Sequence, residues 1–334
     1  MRKSGLHRFL GVPAALLLLF ATALHPSAYG QSAAPAYELT ILATNDLHGC
    51  IDSLPQYLTI INQVRAQKEN VLLLDGGDVF RRGPYEALQG SVEIELLNQM
   101  GYDAMVLGNN EFKVPSSPDS KDGSGTLEES DAQIAQIVQW ADFPVLCGNV
   151  TMKGSGAYMD GVKPYTVVAA GDLKIGIIGV THTQPEQRKL EMAADKDFVR
   201  GDKAVRALLP AVREESDIQI VLSHAGLFVD LNMRGVSAVI GAHHHLRLPR
   251  LKNWHRVPVT QGGGQEKHRL VQLTLCYALK NGKWTLQSFS SKLHKADGWD
   301  KDPLLVIPPA PQQVLNTLSN NQTFTSIRRK YHGI

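Results

Sequence analysis

Glu38-Leu39-Thr40-Ile41-Leu42-Ala43-Thr44-Asn45-Asp46-Leu47-His48-Gly49 is the stretch from which the rest of the chain can be read. Glu38–Ala43 reads as a strand, and Asn45, Asp46 and His48 follow it directly. An apolar strand ending in oxygen and nitrogen donors is how an open α/β sheet presents ligands, beyond the carboxyl ends of its strands. The pattern returns four times. Asp75-Gly76-Gly77-Asp78 follows Val71–Leu74, and Gly108-Asn109-Asn110-Glu111 follows Ala104–Leu107. Ser223-His224-Ala225-Gly226 follows Ile218–Leu222, and Gly241-Ala242-His243-His244-His245 follows Ser237–Ile240.

Further strand-like runs lie at Pro144–Leu146, Tyr165–Ala169 and Lys174–Val180, then at Val257–Thr260, Leu270–Tyr277 and Trp284–Phe289 with no helix between the last three. Apolar residues keep a 3–4 spacing at Leu54, Leu58, Ile61 and Val64, at Leu88, Val92, Leu96 and Met100, and at Val205, Leu208, Leu209 and Val212. Each stripe predicts a helix with one face on a core. Strand–helix alternation at the front and consecutive strands at the back predict an α/β protein of two packed sheets with helices outside. Pro115–Thr126, rich in Ser, Asp and Gly, reads as a surface insertion.

Each donor segment is weak evidence by itself; together the donors define a chemistry. Two aspartates, three or four histidines and one asparagine fall at strand ends, among them Asp46, His48, Asp78, Asn109, His224, His243 and His245; every one is an oxygen or nitrogen donor, with no thiol among them. Two divalent ions ~3.5–4 Å apart need a ligand that reaches both, and a carboxylate serves best; Asp78 is the expected bridge. Two aspartates against two dications leave about +2, a surplus suited to a phosphate group and an activated hydroxide. Imidazole mixed with carboxylate favours manganese, iron, zinc or cobalt. His244 points opposite to its neighbours in an extended segment and is expected to be structural. Arg81 and Arg82, just past Asp78, are candidates to bind substrate phosphate.

The whole chain sets the frame. It has 334 residues, 43% hydrophobic and 20% charged, with net charge +2 and no basic run, so a nucleic-acid polymer is not an expected partner. Arg2, Lys3 and Arg8 precede an apolar run from Phe9 to Leu24, and Ala28-Tyr29-Gly30 fits a cleavage site. Residues 1–30 are therefore expected to be a secretory signal peptide, 31–36 a linker, 37–300 the folded domain and 301–334 a Pro-rich segment and tail. That predicts a periplasmic or secreted protein, with no membrane attachment once the signal is removed. Cys50, Cys147 and Cys276 form an odd count, so cystines cannot be the main framework.

With these motifs in order, from NDLHG at Asn45 and DGGDVF at Asp75 through VLSHAG at Val221 to IGAHHH at Ile240, the chain resembles the calcineurin-like metallophosphoesterases. The likeness covers about Leu39 to Leu275 and is to the branch of secreted 5′-nucleotidases, UDP-sugar hydrolases and 2′,3′-cyclic phosphodiesterases. The resemblance implies a four-layer α/β/β/α sandwich and a phosphate-ester hydrolase in which a metal-bridging hydroxide attacks in line. It implies one metal on Asp46, His48, Asp78 and His245, and the other on Asp78, Asn109, His224 and His243, with a small phosphorylated substrate. The family pattern continues Gly-Asn with a histidine and, three residues further, an aspartate that together assist the leaving group. Here those places hold Asn110 and Lys113. His182, just past a core strand on the ligand edge, and Arg81 and Arg82 are candidates to compensate, the alternatives being a plain loop histidine and solvated arginines. A catalytically silent metal- and phosphate-binding protein is the alternative that this substitution raises.

Overall fold

The structure, a computed structural model, describes residues 36–114, 125–187 and 189–309. Along the chain run β1 (Ala36–Thr44), α1 (Leu54–Gln67), β2 (Val71–Asp75), α2 (Ser91–Met100), β3 (Ala104–Val106), α3 (Leu127–Trp140), β4 (Val145–Leu146), β5 (Val150–Met152), β6 (Tyr165–Ala170) and β7 (Leu173–Val180). There follow α4 (Gln184–Gln187), β8 (Lys196–Phe198), α5 (Gly201–Glu215), β9 (Ile218–Ser223), α6 (Leu227–Asp230), β10 (Val239–Gly241), β11 (Arg247–Lys252), β12 (Pro258–Gly262), β13 (Leu270–Lys280) and β14 (Lys283–His294).

Two six-stranded sheets carry the fold, in the orders β14-β13-β1-β2-β3-β4 and β11-β12-β10-β9-β7-β6. Strands β1 to β4 are parallel, and the hairpin β13–β14 extends that sheet antiparallel. In the second sheet β12, β10, β9 and β7 are parallel, with β11 and β6 antiparallel at its edges. Strands β5 and β8 form a separate two-stranded ladder.

Side-chain alternation explains the layering. Leu72 and Leu74 of β2 pack with Ile218, Ile220 and Leu222 of β9 in one core between the sheets. Leu73, between them in sequence, faces the opposite way, into a core with Leu58, Ile61 and Leu97 of α1 and α2. Val221 of β9 likewise turns to Val205 and Val212 of α5. Strands covered on both faces read as continuous apolar runs rather than alternating ones. The result is the expected α/β/β/α order of layers.

Four local features depart from the expectations. Leu88 is not part of α2: the helix starts at Ser91 behind Gly90, whose φ of 93° breaks it, and Leu88 is exposed. A Cβ at Gly90 would meet the Phe80 ring at 2.6 Å, so glycine is needed there. Helix α3 was not foreseen; a capping box between Thr126 and Glu129 starts it, and Ile134 and Ile137 bury its inner face. Strand β11 was also missed, because it is an edge strand with Pro249 at a register shift between Leu248 and Leu251. Finally, the packed chain continues past residue 300. Asn62 Nδ2 donates to Asp302 Oδ2 at 3.0 Å, Tyr85 donates to the Pro308 carbonyl, and Leu305 is buried.

The expected signal peptide, nearly all of the linker, residues 115–124 of the insertion and the tail from 310 onward lie outside the described residues. Among those described, no helix is long and apolar enough to cross a membrane, and Cys50, Cys147 and Cys276 are all free thiols.

Candidate active site

All five donor segments emerge at one edge of the two sheets, and backbone hydrogen bonds lace them together. Asp46 N donates to Gly77 O at 2.9 Å, His48 N to Asp78 O at 2.9 Å, and Gly49 N to Val79 O at 2.8 Å. The β1 and β2 loops therefore run side by side. Asp46, His48, Asp78, His243 and His245 all have positive φ, between 48° and 75°. Non-glycine residues enter that region at a cost, and such positions gather at functional sites. Gly108 is fixed by close approach: a Cβ there would lie 2.2 Å from Asp78 Oδ1.

The structure brings the seven predicted ligands together. Asp78 Oδ2 lies 3.6 Å from His48 Nε2 and 3.3 Å from His224 Nε2, so one oxygen faces ligands on both sides. Asp46 Oδ1 lies 3.3 Å from His245 Nε2 and 3.8 Å from His224 Nε2. The Nε2 atoms of His48 and His245 face each other at 3.1 Å. Asn109 Oδ1 lies 2.8 Å from His243 Nδ1. Asp46, His48, Asp78 and His224 are buried, whereas His243 and His245 are partly open.

The second partner of each group shows what faces the centre. His224 Nδ1 donates to the Gly76 carbonyl at 2.6 Å, which leaves Nε2 aimed at two carboxylates. That buried nitrogen has no hydrogen-bond partner. A lone pair aimed at a carboxylate oxygen is repulsive unless a proton or a cation lies between them. The electrostatics agree: burial opposes a charged His224, yet Asp78 and Asp46 lift its pKa to about 10. Burial raises Asp78, but His224 and His48 overcome it and hold Asp78 well below the usual carboxylate range. Burial brings His48 down to about 4. The cluster attracts positive charge, and its oxygen and imidazole donors fit divalent cations.

A family model described as calcineurin-like phosphoesterase matches residues 39–247. The chain belongs to the calcineurin-like phosphoesterases. The trifunctional nucleotide phosphoesterase protein YfkN of Bacillus subtilis is 27% identical over 241 residues, 65% of this chain and 16% of that protein. Human 5′-nucleotidase is 30% identical over 263 residues, 69% of this chain and 41% of that protein. The chain therefore spans well under half the length of either relative. The crystal structure of the calcineurin-like phosphoesterase YfkN shares the fold, with a TM-score of 0.67 over 86% of this chain and 99% of that chain, at 20% identity.

Around this phosphoesterase centre stand residues whose roles the sequence did not disclose. Buried Glu111 accepts from the backbone N–H groups of Asp78, Val79 and Gly108 at 2.6–2.9 Å, pinning the β2 loop to the β3 loop. Gln184 Oε1 accepts from Asn109 Nδ2 at 3.0 Å and from Lys113 Nζ at 2.8 Å. Lys113 Nζ also donates to Asn110 Oδ1 at 3.0 Å, while Asn110 Nδ2 donates to Asp78 Oδ2 at 2.5 Å. The only signal for Glu111 was its place beside Asn109 and Asn110; Gln184 had none.

The two arginines part company. Arg81 is buried, donates to the Lys113 carbonyl and lies 3.6 Å from Glu86, which engages its guanidinium inside the protein. Arg82 is exposed. His182 lies flat on His243, with ring centroids 4.0 Å apart and planes within 14°. Its Nδ1 accepts from Gln184 N at 3.0 Å, so its proton is on Nε2. His244 turns away from the centre, and its Nδ1 accepts from Leu227 N at 2.9 Å.

Proposed function

We propose that this phosphoesterase hydrolyses esters of small, nucleotide-like phosphorylated molecules at a centre of two divalent cations, outside the cytoplasm. The observation that carries the reading is the convergence of seven oxygen and nitrogen donors, two of them buried carboxylates, with Nε2 of His224 facing both. Asp46, His48 and His245 would hold one cation and Asn109, His224 and His243 the other, with Asp78 shared. When bound, the two cations supply positive charge for the phosphoryl oxygens and lower the pKa of a water. Manganese, zinc, iron and cobalt all suit this donor set.

The remaining roles fall to the chain itself. Asn110 and Lys113 take the places where the family pattern has its histidine and aspartate. Held by Lys113, the Asn110 amide presents its N–H face to the carboxylate side of the centre, where it hydrogen-bonds a phosphoryl oxygen but yields no proton. Arg82 is the exposed cation for substrate phosphate, while Arg81 braces the loop from within. His182, with its proton on Nε2, is the remaining candidate to protonate a leaving group. A second reading, a silent phosphate-binding protein, is favoured by one observation: the side chain hydrogen-bonded to Asp78 from the β3 loop is an amide, Asn110, which has no proton to give.

Metal analysis of the purified protein, followed by phosphate release from mono-, di- and cyclic esters with manganese added, tests the proposal. Two metals per chain with ester cleavage is the expected result. Two metals without cleavage of any ester would decide for the silent binder.

A further inference from the structure

A cleft of about 540 Å³ adjoins the metal centre, and His182 belongs to both. Its other walls include Thr181, Phe198, Ala225, Phe228 and Trp254. Two of these are large aromatic rings left in water: Phe228 is 74% exposed and Trp254 68% exposed. Single exposed apolar residues are ordinary, but two aromatics bordering one cleft beside a reaction centre are not.

The Phe228 ring has a neighbour behind it, and Trp254 stands on a braced turn. Phe228 lies on α6, four residues after the ligand His224, and the edge of His244 meets its ring with centroids 6.0 Å apart at 88°. Trp254 lies in the turn between β11 and β12, where buried Asn253 organises the chain. Asn253 Oδ1 accepts from His255 N at 2.9 Å and Val257 N at 3.0 Å. Its Nδ2 donates to Asp230 O at 3.0 Å and to Met233 O at 2.8 Å, tying the Trp254 turn to the end of α6, the helix that carries Phe228. Exposed rings on a braced backbone lose little freedom on binding, which is what a stacking platform requires. The volume falls within the ~300–1,000 Å³ of small-molecule sites.

We propose that Phe228 and Trp254 form a subsite for a planar aromatic group, such as a nucleobase, carried by the substrate whose phosphate reaches the metal centre. The inference rests on the phosphoesterase reading and names its substrate class. Gln187 and Asn232 line the same cleft; their amide nitrogens donate to Thr183 Oγ1 and the Phe228 carbonyl, each at 2.8 Å, which leaves their amide oxygens to meet the ring's edge.

The test compares wild type with Phe228→Ala and Trp254→Ala, using adenosine 5′-monophosphate against glycerol phosphate, and titrates metal-free protein with adenosine while following tryptophan fluorescence. Each variant should raise KM for the nucleotide at least about fivefold, the low end for stacking on an aromatic side chain. KM for glycerol phosphate should stay within about twofold. Adenosine should quench the wild type and leave Trp254→Ala unchanged. Equal shifts on both substrates, or none, would overturn the subsite while leaving the hydrolase reading intact. If no ester is cleaved with both metals bound, the hydrolase reading falls, and the subsite stands or falls on the adenosine titration alone. Self-association of the wild type that both variants abolish would assign the rings to a second copy instead and also overturn it.

Discussion

Lys113 Nζ donates to Asn110 Oδ1 at 3.0 Å, and this one bond decides which way the Asn110 amide faces. With its oxygen held by the cation, the amide must turn its N–H groups toward Asp78, whose Oδ2 is 2.5 Å away. A neutral amide is thereby oriented as a donor at the centre.

Lys113→Met should release that amide. We expect kcat to fall roughly tenfold, the worth of a hydrogen bond involving a charged group, with metal content unchanged. The paired change Asn110→His with Lys113→Asp should instead raise turnover of alkyl phosphates, by up to ~10²–10⁴ if full general-acid help is regained. Aryl phosphates, whose leaving groups depart as anions, should gain little. Comparing kcat/KM on the two ester types checks both statements. If the wild type cleaves both types equally well, another group supplies the proton, and His182→Ala should abolish the alkyl activity selectively.

Asp78→Asn should empty both cation positions at once, because the same oxygen faces His48 and His224. His48→Ala should weaken mainly one position. Elemental analysis after dialysis gives the ratio directly; two metals retained per Asp78→Asn chain would remove Asp78 from the shared position.

Glu111→Gln should act through the backbone. It exchanges an acceptor of the Asp78, Val79 and Gly108 N–H groups for an amide that accepts with only one atom. A buried donor left without a partner costs about 1–3 kcal/mol. The melting temperature should fall accordingly, with metal affinity falling alongside it because the β2 and β3 loops lose their pin. Unchanged stability would show that water replaces the lost acceptor.

Glu93 predicts a pH effect away from the ligands. It is fully buried on α2, and among the described residues neither carboxyl oxygen has a hydrogen-bond partner. Burial, with Glu86 adding to it, raises its pKa to about 7. The folded state thus binds this proton more tightly than the unfolded chain does. Its favourable contribution is complete below about pH 4.5 and is lost as pH rises toward and through about 7. The loss is on the order of 2–3 kcal/mol. Denaturation midpoints of wild type and Glu93→Gln, measured from pH 5 to pH 8, should converge at the acid end and separate in favour of Glu93→Gln at the alkaline end. Parallel curves would show that Glu93 does not titrate in this range.

The donor segments were legible because their signal is local. An apolar run that stops at a short stretch of Asp, Asn or His says both that a strand ends and that ligands begin. Other features had no such local sign. Leu88 keeps the spacing of the α2 stripe, yet a glycine two residues later, packed on Phe80, holds back the start of that helix to Ser91. Arg81 and Arg82 are indistinguishable as sequence; the turn sends one inward to the Lys113 carbonyl and leaves the other in water. Glu111 and Gln184 act on atoms tens of residues away, and Phe228 and Trp254 share a cleft only because Asn253 ties two distant loops together.

By itself the sequence determined the layer order and the edge on which the oxygen and nitrogen donors gather, since burial on both faces of a strand and donors at its end are written in consecutive residues. The tertiary structure alone decided which carboxylate oxygen lies between which imidazoles, which way the Asn110 amide turns and what stands beside the donor cluster. Those outcomes depend on how loops from two separate sheets meet, and the meeting is set by long-range hydrogen bonds and packing that no local pattern of residues encodes.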